Sequence, residues 1–105
     1  MRGPFVLSKS CVNLVVPPHM RGVFALSNNR DGLEVVKSAD KSANEEIKGF
    51  FTQFKYFWFE LASSPREAFA IECELYHSRL VAKLEGNGHP KAPPDSGWHC
   101  PVCGQ

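Results

Sequence analysis

Long hydrophobic runs are what this chain most clearly lacks. No window approaches ~18 uninterrupted apolar residues, so no membrane-spanning helix is expected. A charge excess of one sign is missing too. Twelve Lys and Arg stand against eleven Asp and Glu, a net charge of +1, which rules out a histone-like basic protein, an acidic tail and a charge-driven disordered chain. Met1 to Val16 holds an early Arg and several apolar residues. Lys9 and Asn13 interrupt them and no small-residue cleavage site follows, so no secretory signal is expected. No internal repeat is visible, and cysteine is scarce, with four in 105 residues. Aromatic residues, by contrast, reach 11%, and Phe supplies eight of them against two Trp and two Tyr. That points to a packed aromatic core. The length suits one domain, which buries roughly two-thirds of the surface its unfolded chain exposes.

The cysteines are Cys11, Cys73, Cys100 and Cys103. An even number would allow two disulfides in a secreted domain. The local sequence favours a metal. Cys100-Pro101-Val102-Cys103-Gly104 is a knuckle of the rubredoxin type, in which two thiolates three positions apart share one tetrahedral ion. The Pro holds φ for the turn, and the Gly lets the backbone curl until N–H groups face the sulfurs. Two further ligands must come from elsewhere. Cys73 and His77 are four apart in a segment that reads as helix, hence one turn apart on one face. Cys73, His77, Cys100 and Cys103 would form a Cys3His structural zinc site, with His89 and His99 as rival fourth ligands. A redox dithiol is the third use of the knuckle. It is disfavoured because redox pairs usually open a helix after a strand.

Along the chain, residues 1–20 read as an extension able to add an edge strand. Val12, Leu14 and Val16 alternate as a short strand would, and Pro17-Pro18 ends it. A strand at Gly22–Leu26, turn formers at Ser27–Gly32 and a strand at Leu33–Lys37 make a β-hairpin. Ser42-Ala43-Asn44-Glu45 is a capping box opening a helix. Its apolar stripe runs through Ala43, Ile47, Phe50, Phe51 and Phe54, and Gly49 would allow close packing on the sheet. Tyr56–Leu61 is the strongest strand, apolar on both faces and therefore interior, with a base-stacking platform as the less favoured use of its aromatics. Ser64-Pro65-Arg66-Glu67 starts a second helix, expected to reach about Lys83 and to stop at Gly86-Asn87-Gly88. The expected fold is α+β: a small antiparallel or mixed three-stranded sheet flanked by helices over 21–80, followed by a Gly/Pro-rich tail over 81–105 that zinc pins back. Trp98 should pack beside the metal.

At 100° per residue the second helix presents Ala68, Phe69, Ile71, Leu75, Tyr76 and Leu80 on one apolar face, with Glu72 near its middle. Glu67 and Glu74 face water, and Cys73 and His77 share a flank. A buried carboxylate needs a cation, hydrogen bonds, a metal or an opening to solvent. An ion pair, with Arg79 for example, competes with an active-site role.

A hairpin opening Gly22-Val23-Phe24, then helix, strand, and a helix whose Ser-Ser-Pro-Arg-Glu-Ala-Phe-Ala-Ile-Glu carries an inward Glu, resembles the GIY-YIG nuclease superfamily. The resemblance covers about Arg21 to Leu80 and is closest to small members ending in a Cys-Pro-x-Cys tail. It implies a small antiparallel sheet flanked by helices and a divalent cation, Mg²⁺, at Glu72 assisting attack of water on a phosphodiester. The two Tyr and the Arg of that pattern are absent. Phe24 stands for the first Tyr, Val35-Val36-Lys37 for the second motif, and Lys41 and Lys48 are the only cations between Asp40 and Phe51. Arg30 or Lys37 would be the substitutes for the lost cation.

The expected function is therefore a zinc-stabilised, non-catalytic GIY-YIG-like module binding a nucleic acid or protein partner. Arg21, Arg30 and Lys37 are the candidate nucleic-acid contacts. The alternatives are a divergent Mg²⁺-dependent nuclease using Glu72, and a redox or metal-handling protein using Cys100 and Cys103. A zinc-type knuckle and no secretory signal favour the reducing cytoplasm.

Overall fold

In the computed structural model, residues 1–78 and 89–104 are described. The chain runs β1 (Arg2–Val6), α1 (Lys9–Val15), β2 (Gly22–Ser27), β3 (Val35–Ala39), α2 (Ala43–Lys48), β4 (Tyr56–Leu61) and α3 (Pro65–Tyr76). It is an α+β fold with one antiparallel sheet in the order β1-β4-β2-β3. The sheet has four strands where three were expected, because the N-terminal extension adds β1 at the edge beside β4.

The strand β2, Gly-Val-Phe-Ala-Leu-Ser, is buried at every position and paired on both sides. That is the environment its unbroken apolar sequence suits, since both faces of the sheet are covered. On one face Phe24, Leu26, Phe57 and Phe59 meet Val12 and Val16 from the α1 end and Ala43 and Ile47 of α2. Phe24, Phe57 and Ile47 have no exposed surface, and each such side chain contributes about 1.5–3 kcal/mol on burial. On the other face Val23, Ala25 and Trp58 lie under α3, which supplies Ala68, Ile71 and Leu75. The double-sided aromatic strand read at Tyr56–Leu61 is thus covered twice, as its pattern required.

The hairpin forms, with β3 two residues later than expected. Its turn is closed by side chains. Ser27 Oγ donates to Glu34 Oε2 at 3.0 Å, the Asn29 N–H donates to Ser27 Oγ at 2.9 Å, and the Asp31 N–H donates to Asn29 Oδ1 at 2.8 Å. These short polar groups satisfy backbone donors that the strands leave over, so the ladder starts only at Val35.

Three expectations about local structure are corrected. Residues 12–16 are not a strand. Ser8 caps a helix by accepting the Cys11 N–H at 3.1 Å, and Val12, Val15 and Val16 then share its inner face while Leu14 is 84% exposed. Gly49 does not pack on the sheet; it is the exposed end of α2, which stops at Lys48 and continues in turns that bring Phe50 and Phe54, but not Phe51, against the core. α3 ends at Tyr76, where the Ser78 hydroxyl donates to the Leu75 carbonyl at 2.7 Å and competes with the helical ladder. Residues 79–88, including Arg79, Lys83 and the Gly86-Asn87-Gly88 stop, lie outside the described residues. Among the described residues no helix is long and apolar enough to cross a membrane.

Candidate metal centre

The C-terminal knuckle folds as its residues dictate. Gly104 adopts φ +76° and its N–H donates to the Cys100 carbonyl at 2.9 Å, which closes the turn. The Val102 N–H then points at Cys100 Sγ from 3.4 Å. The knuckle is seated on α3 by a small apolar cluster. Cys100 is buried against Phe69 and Cys73, with Trp98 and Ala92 beside them, and the Phe69 and Trp98 rings lie 6.0 Å apart. Trp98 therefore packs beside the site, as expected.

Four donors converge there. One ligand atom each of His77, His89, Cys100 and Cys103 lies within 4.8 Å of all the others, so this His2Cys2 group could hold a metal ion. His77 Nε2 and His89 Nε2 are 3.2 Å apart, and Cys103 Sγ is 3.3 Å from His89 Nε2. A tetrahedral ion with bonds of about 2.0–2.3 Å separates its ligands by about 3.3–3.8 Å, so these spacings are close to what one ion needs. A backbone contact orients His89 for ligation. Its Nδ1 donates to the Pro90 carbonyl at 2.8 Å, which leaves the Nε2 lone pair facing the other donors. Tyr76 packs edge-on against both imidazoles, 5.1 Å from His77 and 5.0 Å from His89.

Three of the four expected ligands, His77, Cys100 and Cys103, are in this group, and His89 completes it. Cys73 stands directly behind, fully buried and hydrogen-bonded to Cys100. His99 is exposed and outside the group. His89 was readable only as a rival. The helical spacing drew attention to Cys73 and His77 together, whereas α3 ends at Tyr76 and brings only His77, at its C-cap, to the tail's donors. The dipeptide His89-Pro90, ahead of a knuckle in a Gly/Pro-rich stretch, was the available signal.

The thiols divide sharply. Burial pushes the Cys73 thiol up to about 12, helped by its hydrogen bond to Cys100 and by the negative charge of Cys100, Glu72 and Cys103. Burial also works against a Cys100 thiolate. The backbone N–H groups of Cys103 and Val102 and the side chains of His89 and Cys103 outweigh it and bring Cys100 down to about 5. His89 is raised, first by the Pro90 carbonyl and further by Cys100. A cation at this spot would displace the proton shared among these groups.

No family model matches this chain, and no curated protein or solved structure matches it either.

Glu72 sits on the sheet side of α3, half-buried, and Ser38 Oγ donates to its Oε1. Burial first, and Asp40 second, raise its pKa. Ser38 pairs with Val23 and lies on the α3 face of the sheet, whereas Phe24, with no exposed surface, packs towards α1 and α2. The sheet therefore stands between Phe24 and Glu72, and the two cannot meet at one reacting centre. Of the candidate cations, Arg30 is exposed with its guanidinium 4.9 Å from the Tyr56 ring centroid, and Lys37 is exposed with Nζ 5.2 Å from that of Phe50. Arg21 is half-buried. Lys48 is engaged by Asn13 at 3.2 Å and Glu45 at 3.2 Å.

Proposed function

We propose that this chain is a zinc-stabilised, non-catalytic module of GIY-YIG-like build that binds a nucleic acid or protein partner. The observation that carries it is the convergence of His77, His89, Cys100 and Cys103, which would tie the tail to the end of α3 through one structural ion. Zinc suits an N/S donor set of four, and no disulfide joins any two of the cysteines, which fits a reducing cytoplasm. The order hairpin, helix, strand, helix, with Glu72 turned towards the sheet, supports the resemblance. The non-catalytic reading is supported by the burial of Phe24 on the far side of the sheet from Glu72, which keeps these two positions of the pattern apart. Arg30 and Lys37, each exposed beside an aromatic ring, are the groups best disposed to meet phosphates.

Metal analysis of untagged protein should return one zinc per chain. Fluorescence titration of that protein with single-stranded, duplex and branched DNA and with RNA, at two salt concentrations and with and without Mg²⁺, tests the partner. Salt-sensitive binding without cleavage, weakened by Arg30→Ala and Lys37→Ala, is the expected result. No binding to any of them would direct the search to a protein partner. Mg²⁺-dependent cleavage abolished by Glu72→Gln would replace the non-catalytic reading with a nuclease.

A further inference from the structure

The metal site has one donor too many. His77, His89, Cys100 and Cys103 form the four-donor group, yet Cys73 is in contact with Cys100 and has no exposed surface. Cys73 belongs to α3, one turn before His77 and on the same flank, so its sulfur is held by a helix that is itself packed on the sheet. His89 comes from the tail and is only half-buried. Two sets of four ligands can therefore be drawn, both built on His77, Cys100 and Cys103. One takes imidazole from the tail, and the other takes a third thiolate from the helix.

Resting on the metal reading above, we propose that these two sets are both used: the fourth coordination position is exchanged between His89 and Cys73, and the softness of the metal decides which one fills it. Zinc and cobalt, borderline ions, take His2Cys2. Cadmium and other soft ions, which prefer sulfur, take Cys3His. In the exchange the Cys73 thiol gives its proton to solvent as its sulfur bonds to the metal, and the His89 nitrogen leaves. The site gains one negative charge and His89 is released towards solvent. No oxidation is involved. Such a site discriminates among metals by rearrangement, where a closed structural site offers a single ligand set.

The test is reconstitution of the full chain with Co²⁺ and with Cd²⁺, following the thiolate-to-metal charge-transfer band, whose intensity counts the sulfurs bound. His89→Ala removes a half-buried residue and leaves the fold alone. It should still bind both metals, with the cobalt band raised about 1.5-fold as two thiolates become three. Cys73→Ser should leave the cobalt band unchanged and lower the cadmium band to about two-thirds of wild type. Removing both should weaken binding about 100-fold or more, well beyond either single variant. The proposal is overturned if His89→Ala binds cobalt with an unchanged band, because water then fills the position. It is also overturned if His89→Ala loses metal as fully as the double variant does. A wild-type chain that takes up neither metal overturns the metal reading itself, and this proposal with it.

Discussion

Gly22 opens the central strand with its Cα paired to Leu61 on one side and Ala39 on the other. A Cβ there would lie 2.6 Å from the carbonyl oxygen of Glu60, a backbone atom that cannot swing away. Gly22→Ala should therefore cost about 1–3 kcal/mol, measured by chemical denaturation, with no effect on metal stoichiometry. Glu72 makes a different prediction. Its folded pKa is raised, so the fold favours the protonated form; that stability is complete below the unfolded pKa and is lost as pH rises through the folded one. Glu72→Gln should thus melt higher than wild type at about pH 7, and its advantage should shrink as pH falls through the folded pKa. A difference that grows on acidification would contradict the assigned burial. Glu72 stood out in the sequence because it interrupts an apolar stripe. Its hydrogen bond to Ser38 did not, since nothing local links positions 34 residues apart.

At the scale of elements, α1 separates two readings of one sequence. In a strand Val12 and Leu14 would share a face; in a helix they lie on opposite sides. Val12 is fully buried and Leu14 is 84% exposed. Val12→Asp should destabilise by about 3 kcal/mol or more, whereas Leu14→Asp should stay within about 0.5 kcal/mol. Equal effects would restore the strand. The β-branched run concealed this helix, and Ser8, its cap, was the overlooked cue. Capping chemistry was the more dependable guide elsewhere: Ser42 and Ser64 accept the N–H groups of Glu45 and Glu67, at 3.3 and 3.1 Å, at the starts read for α2 and α3. Where those helices end was harder to see. α2 stops at Lys48 and α3 at Tyr76, and apolar periodicity ran on past each of them. Asn44 was read only as part of a capping box. It is 2% exposed and ties α2 to α1 by donating to the Val16 carbonyl at 2.8 Å, a contact that exists only because residues 9–15 are helical.

For the molecule as a whole, the metal would be the joint between the tail and a core that is otherwise complete. Removing the proposed metal with a chelator should reopen a loop of 22 residues between His77 and Cys100, at a cost of about 3 kcal/mol. Hydrogen exchange should then show residues 89–104 losing protection while β2 and β4 keep theirs. Global unfolding on metal removal would mean that the sheet depends on the ion. The knuckle was readable because its chemistry is local, whereas the choice among His89, His99 and Cys73 depended on where α3 stops. The sheet order carries a further consequence, for synthesis. Among the described strands β1 comes before the others in the chain and pairs with β4 alone, and β4 ends at Leu61. At roughly 5–20 residues per second, the ribosome leaves that strand unpaired for roughly 3–11 s. Throughout that interval Phe5 and an open ladder are available to any other nascent chain. The charge of Arg2 and the missing N–H of Pro4, both within the strand itself, make it a poor template for them.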